Sequence, residues 1–87
     1  MTIKLVNISQ NFNYMTFQKG EGEENRVWFS YETPVAFENK GVLKVAQNVW
    51  SKTTGKHLNK IDGGDKETRL TREEFEKELA KFLAKIK

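Results

Sequence analysis

The densest group of side chains able to do chemistry is Trp50-Ser-Lys-Thr-Thr-Gly-Lys-His57, with Asn59 and Lys60 just beyond it. Ser51, Thr53 and Thr54 supply hydroxyls, Lys52 and Lys56 supply positive charge, and His57 is the only histidine of the chain. If a helix begins in this segment, its unpaired amides and the positive end of its dipole would hold an anion, and the lysines would reinforce it. Trp50 offers a flat ring for stacking on a base. The plainer alternative is a helix capped by Ser51 or Thr53 with solvated lysines around it, in which Thr53, Thr54 and His57 serve as caps and core hydrogen bonds. On the first reading, Trp50, Ser51, Lys52, Thr53, Thr54, Lys56, His57 and Asn59 form a candidate ligand- or partner-binding segment, with Lys56 and His57 at the surface. Trp28 and Tyr31 join the candidates because a chain this short cannot hide all its large aromatics, Phe37 and Trp50 included.

Other chemistries fit poorly. Thr54-Gly-Lys56 resembles the end of a phosphate-binding loop, but the first glycine of that motif falls at Trp50 and His57 replaces the final Ser or Thr. One histidine cannot build a histidine metal site. Asp62, Asp65 and Glu67 are too few and wrongly spaced for a calcium loop. Ser51, His57 and Asp62 or Asp65 include the residue types of a triad, without a nucleophile elbow or oxyanion loop. There is no cysteine, hence no thiolate nucleophile and no disulfide framework. The expectation is a protein with no catalytic residues, no bound metal and no cofactor.

The elements that would position these side chains must come from 87 residues, of which 37% are hydrophobic and 31% charged. That is one domain, 1–87, with a thin core. No apolar run approaches the roughly 20 residues needed to cross a bilayer, so the chain is expected to be soluble and cytoplasmic, with no membrane partner. The net charge is +3. Its excess sits in residues 34–60, where Lys40, Lys44, Lys52, Lys56 and Lys60 face Glu38 alone. The acidic loop around Glu21, Glu23 and Glu24 opposes a simple nucleic-acid surface.

Residues 1–49 alternate like strands and read as a four- to five-stranded antiparallel β-meander. Phe12, Tyr14 and Thr16 fall on one face, Met15 and Phe17 on the other; Val27, Phe29 and Tyr31 oppose Trp28 and Ser30. The glycine-containing stretch 19–25 reads as a hairpin loop, Pro34 as a strand end or sheet edge, and Gly41 as a tight turn. Residues 50–61 read as a short helix stopped by Asp62-Gly-Gly-Asp65. The clearest element is a C-terminal amphipathic helix over 71–86. Thr71 and Glu74 form a capping box, and Phe75, Leu79, Phe82, Leu83 and Ile86 make an apolar stripe. The expected fold class is α+β, with both helices packed on one face of the sheet. A homodimer is expected if the terminal helix packs on a second copy instead.

Two strings carry a resemblance: Tyr31-Glu-Thr-Pro-Val-Ala36 and Trp50-Ser-Lys-Thr-Thr-Gly-Lys-His-Leu-Asn59. Over roughly residues 27–61 the chain resembles a family of small bacteriophage proteins with a Tyr-x-Thr-Pro-Val-Ala segment and a Trp-Ser-x-Thr-Thr-x-x-His-Leu-Asn segment. The resemblance implies provenance, a phage accessory protein in the cytoplasm of an infected bacterial host, and attaches no activity. Taken together, these readings lead to the expectation of a non-enzymatic accessory protein that acts by binding. It would be a counter-defence inhibitor of a host protein such as a CRISPR effector, or a sequesterer of a nucleotide signal. The alternative is a nucleic-acid-binding module using the basic face from Lys40 to Lys60. The expected partner is thus a host protein or a phosphate-bearing ligand.

Overall fold

Period-two alternation through the first half of the chain produces strands. The computed structural model describes residues 2–18, 24–39, 41–48 and 52–86. Lys40, Trp50, Ser51 and residues 19–23, the bulk of the stretch read above as a hairpin loop, lie outside that set. The strands are β1 (Thr2–Ser9), β2 (Phe12–Gln18), β3 (Glu24–Ser30), β4 (Thr33–Asn39) and β5 (Val42–Val45), followed by helices α1 (Lys52–Asp62) and α2 (Arg72–Ile86). A short 3₁₀ turn, Lys66–Thr68, separates the helices. The chain is an α+β protein: its five strands form one antiparallel sheet in the order β1-β2-β3-β4-β5. By contact density it divides into two compact units, residues 1–43 and residues 44–87.

In the first unit the register gives each residue its face. Leu5, Met15, Val27 and Phe37 lie opposite one another across four strands, and Val6, Tyr14, Trp28 and Ala36 line the other face. Val27 and Phe37 are buried on one side, and Phe12, Thr16, Ser30 and Ala36 on the other. The expected opposition of Phe12, Tyr14 and Thr16 to Met15 and Phe17 is what the pairing shows. Pro34 is the second residue of β4, at the strand end that was one of its two expected places. Trp28 pairs with Ala36 and Phe29 with Pro34, so Val35 is an extra residue, a bulge beside which a proline without an amide is tolerated. Tyr31 is not on the face of β3 with Val27 and Phe29. It occupies the turn after β3 with φ 59°.

In the second unit, α1 runs to Asp62 and stops where Gly63 (φ 69°) and Gly64 (φ 87°) turn left-handed, a conformation closed to most side chains. It buries Thr54, His57 and Leu58. Thr71 caps α2: its hydroxyl accepts the Glu74 amide at 3.2 Å and donates to Glu74 Oε1 at 2.9 Å, while the Thr71 amide reaches the same carboxylate at 3.3 Å. Phe75 and Phe82 are buried, but Leu83 is 41% exposed. At about 100° per residue Leu83 lies some 80° round from Phe75, at the rim of a buried arc narrower than the stripe suggested. Ala46 and Leu70 form an isolated parallel bridge, in which the Gln47 amide donates to Leu70 O at 2.7 Å and the Leu70 amide to Val45 O at 2.8 Å.

Candidate functional site

The second unit holds a cleft of about 430 Å³ lined by Gln47, Asn48, Gly55, Asn59, Lys66 and Arg69. Three constraints from the chain place these residues. Gly55 and Asn59 are one turn apart on α1 and share a face. The Leu70 bridge fixes its neighbour Arg69. Gly55 lets Asn48 come close, since a Cβ there would stand 2.9 Å from Asn48 Nδ2.

Arg69 is the organising side chain. Its Nε donates to Asp62 Oδ2 at 2.7 Å, and its Nη2 donates to Asp62 Oδ1 and Asn59 Oδ1, both at 3.0 Å. The Gly64 amide adds a 2.9 Å hydrogen bond to Asp62 Oδ1. The pair is buried, with side chains 4% and 5% exposed. Burial alone would push the Asp62 carboxyl up, but the Arg69 hydrogen bond, the Gly64 amide and the charge of Arg69 outweigh it and hold the group below its ordinary value. Arg69 is held correspondingly above its own, chiefly by the hydrogen bond to Asp62. Nε and Nη2 are therefore committed, whereas Nη1 has no hydrogen-bond partner among the described residues.

The expected segment divides between this cleft and the interior. Asn59 lines the cleft, and Lys52, Thr53 and Lys56 are exposed on α1. Lys52, Lys56 and Lys60 recur every four residues, so they form a basic stripe on the flank of the helix next to Gly55 and Asn59. Thr54 and His57 are 3% and 5% exposed, so His57 is not the surface residue of the ligand-binding reading; it falls on the buried arc with Leu58. Trp50 and Ser51 lie outside the described residues. Trp28 and Tyr31 belong to the first unit. Trp28 is half-buried against its cross-strand neighbour Tyr14, with ring centroids 6.2 Å apart, and Tyr31 is 49% exposed. Asp62 is the last residue of α1 and is salt-bridged to Arg69, whereas the sequence reading puts it in the loop that stops the helix. Among the described residues no cluster of His, Asp or Glu could hold a metal ion, and no helix is long and apolar enough to cross a membrane.

Gln47, Asn48, Lys66 and Arg69 were not singled out from the sequence. The available signal was Asn59 and Asp62 one turn apart at the end of a helix, followed by a lone arginine just before the next N-cap.

Burial, and after it the charge of Lys60, holds the His57 imidazole below its ordinary 6.5. The folded state therefore binds fewer protons than the unfolded chain, and stability is full above the unfolded value and lost as pH falls below it. Melting temperature should drop between about pH 7 and pH 5, and His57→Gln should flatten that slope. An unchanged slope in the variant would show that His57 is not its source.

Fold and cleft define a small α+β protein with a polar, lysine-flanked recess in its second unit. The chain belongs to the family of unknown function DUF8033, whose model matches residues 3–77. Neither a curated protein nor a solved structure matches it.

Proposed function

We propose that the protein binds a phosphate-bearing ligand in the cleft of residues 44–87 and performs no chemistry on it. The observation that carries this reading is the Arg69 guanidinium, held by Asp62 and Asn59 in the wall of a cleft that it shares with Lys66, Asn48 and Gln47. Carboxamides and a held guanidinium are suited to phosphate oxygens, and the lysine stripe of α1 adds long-range attraction. The biological setting we propose is a phage accessory protein that sequesters a nucleotide signal of host defence, rather than one that inhibits a host protein such as a CRISPR effector.

Calorimetric titration with inorganic phosphate, nucleoside mono- and triphosphates and cyclic dinucleotides tests it. At least one should bind saturably, and Lys66→Ala should weaken binding by about 1–3 kcal/mol, the worth of a charge-assisted hydrogen bond. Gly55→Ala is the sharper variant. Alanine favours a helix interior over glycine by up to about 1 kcal/mol, so the fold should hold, while the displaced Asn48 amide changes the cleft and the affinity. If none of these compounds binds, the reading is wrong.

Lys52, Lys56 and Lys60, exposed at four-residue spacing, support a second reading, a nucleic-acid surface. Its mark is affinity for duplex DNA that falls with salt at a log–log slope near −0.9 per phosphate neutralised. No binding at low salt eliminates it.

A further inference from the structure

Charge is unevenly spread over the first unit. From residue 2 to residue 18, through β1, its turn and β2, the only charged side chain is Lys4, in a chain that is 31% charged. This hairpin is nevertheless not interior. β1 ends the strand order, so one of its edges has no strand beside it among the described residues. Leu5 is 71% exposed and Ile3 56%. Their cross-strand neighbours Met15 and Phe17 share that face and are half-buried. Exposed aliphatic side chains with charge stripped from around them mark the centre of a protein interface.

Natural sheets guard an open edge with proline, several lysines, a central bulge or a very short strand. β1 has little of this protection. It runs eight residues, contains no proline, and shifts register only near its far end, between Asn7 and Ser9. In an antiparallel ladder alternate residues of such a strand direct their backbone N–H and C=O groups away from the neighbour, here outward from β2.

The strand also fits itself. A two-fold axis keeps each residue on the same face in both copies, so facing residues must both be odd-numbered or both even-numbered. Centring the axis on Lys4 sets the two ammonium groups opposite each other, which is destabilising. Centring it on Val6 draws the register shift after Asn7 into the ladder. Centring it on Leu5 avoids both: Leu5 faces its own copy, Lys4 faces Val6, and Ile3 faces Asn7. Two such edges, each about 27 Å long at about 3.4 Å per residue, bury on the order of 1,000 Å² in total, the threshold of a specific interface. We infer that β1 is a dimer interface, through which two copies of this chain join edge to edge about a two-fold axis at Leu5 into one continuous sheet. The dimer face lies in the first unit and does not depend on the cleft of the second.

Sedimentation equilibrium of the full chain from about 1 to 500 µM should show a monomer–dimer equilibrium with Kd of about 1–100 µM, as suits a small interface. Leu5→Lys and Leu5→Glu should each stay folded, because Leu5 is exposed, and each should weaken self-association at least tenfold. An equimolar mixture of the two should recover the dimer, since opposite charges then meet on the axis. The chain has no cysteine, so a single introduced thiol reports its own position. Oxidation should cross-link Leu5→Cys, because facing Cα atoms stand about 4.5–5.5 Å apart, inside the limit of about 7 Å for a disulfide. Ile3→Cys should cross-link far more slowly, its copy lying four residues along the partner strand, roughly 14 Å away. A monomer across the whole concentration range overturns the inference and leaves the edge to a strand of another protein. A dimer undiminished in Leu5→Lys overturns it in favour of another face, such as α2. Equal cross-linking at positions 3 and 5, or oligomers that grow past the dimer, overturns the two-fold pairing at Leu5.

Discussion

Arg69→Ala should destabilise the protein by about 3–5 kcal/mol, because it leaves the Asp62 carboxylate buried without its counter-charge. A small domain has only about 5–15 kcal/mol in total, so the variant should be partly unfolded at room temperature. The effect should depend on pH with a definite sign. Asp62 is held below its ordinary value in the fold, so the pair's contribution is complete above the unfolded carboxyl pKa and fades as pH falls through the folded one. Denaturant melts at neutral pH and at progressively lower pH should therefore show wild type and variant converging in acid. Arg69→Ala combined with Asp62→Asn should recover part of the loss, since the stranded charge is gone. A loss below about 1 kcal/mol at neutral pH, the worth of a surface pair, would contradict the buried fork.

Phe82→Ala is the second large effect. Phe82 is 3% exposed, and truncating a buried phenylalanine costs about 3–5 kcal/mol in lost transfer energy and residual cavity. Leu83, adjacent in sequence but 41% exposed, is the internal control, and Leu83→Ala should shift stability far less. Thermal melts of the two variants make the comparison. Equal effects would mean that α2 is rotated from the orientation described.

Much of the fold could be read from local signals. The capping box at Thr71 and Glu74, the alternation at residues 12–17 and the left-handed turns at Gly41, Gly63 and Gly64 each follow from the residue types in place. Tyr31 was misplaced because strand alternation cannot see that a hairpin turn has already begun at a bulky residue. Leu83 belongs to the apolar stripe yet is 41% exposed, because periodicity gives the angle of a stripe but not the width of its buried arc. The candidate site was legible only in its helical half. Asn59 and the lysines of α1 stand in one window, whereas Gln47, Asn48 and Arg69 meet them through the Leu70 bridge, a pairing between residues 24 positions apart that no local pattern encodes. For His57 the sequence leaves a surface and a core reading open, because it shows a polar residue among lysines; its 5% exposure matches the core one.

That bridge also bears on how the second unit folds. Two backbone hydrogen bonds at Leu70 close a loop that contains all of α1 and the 3₁₀ turn. Closing such a loop has an entropic cost that rises only as about (3/2)RT ln n, yet it must be met before the contacts inside are fully rewarded. The helix and its closure should therefore form and open together. In native-state hydrogen exchange the Gln47 and Leu70 amides should share one opening free energy with the inner amides of α1, as members of a single cooperative unit. Cleft assembly then coincides with completion of this loop, because Arg69 reaches Asp62 and Asn59 only once the chain has come round.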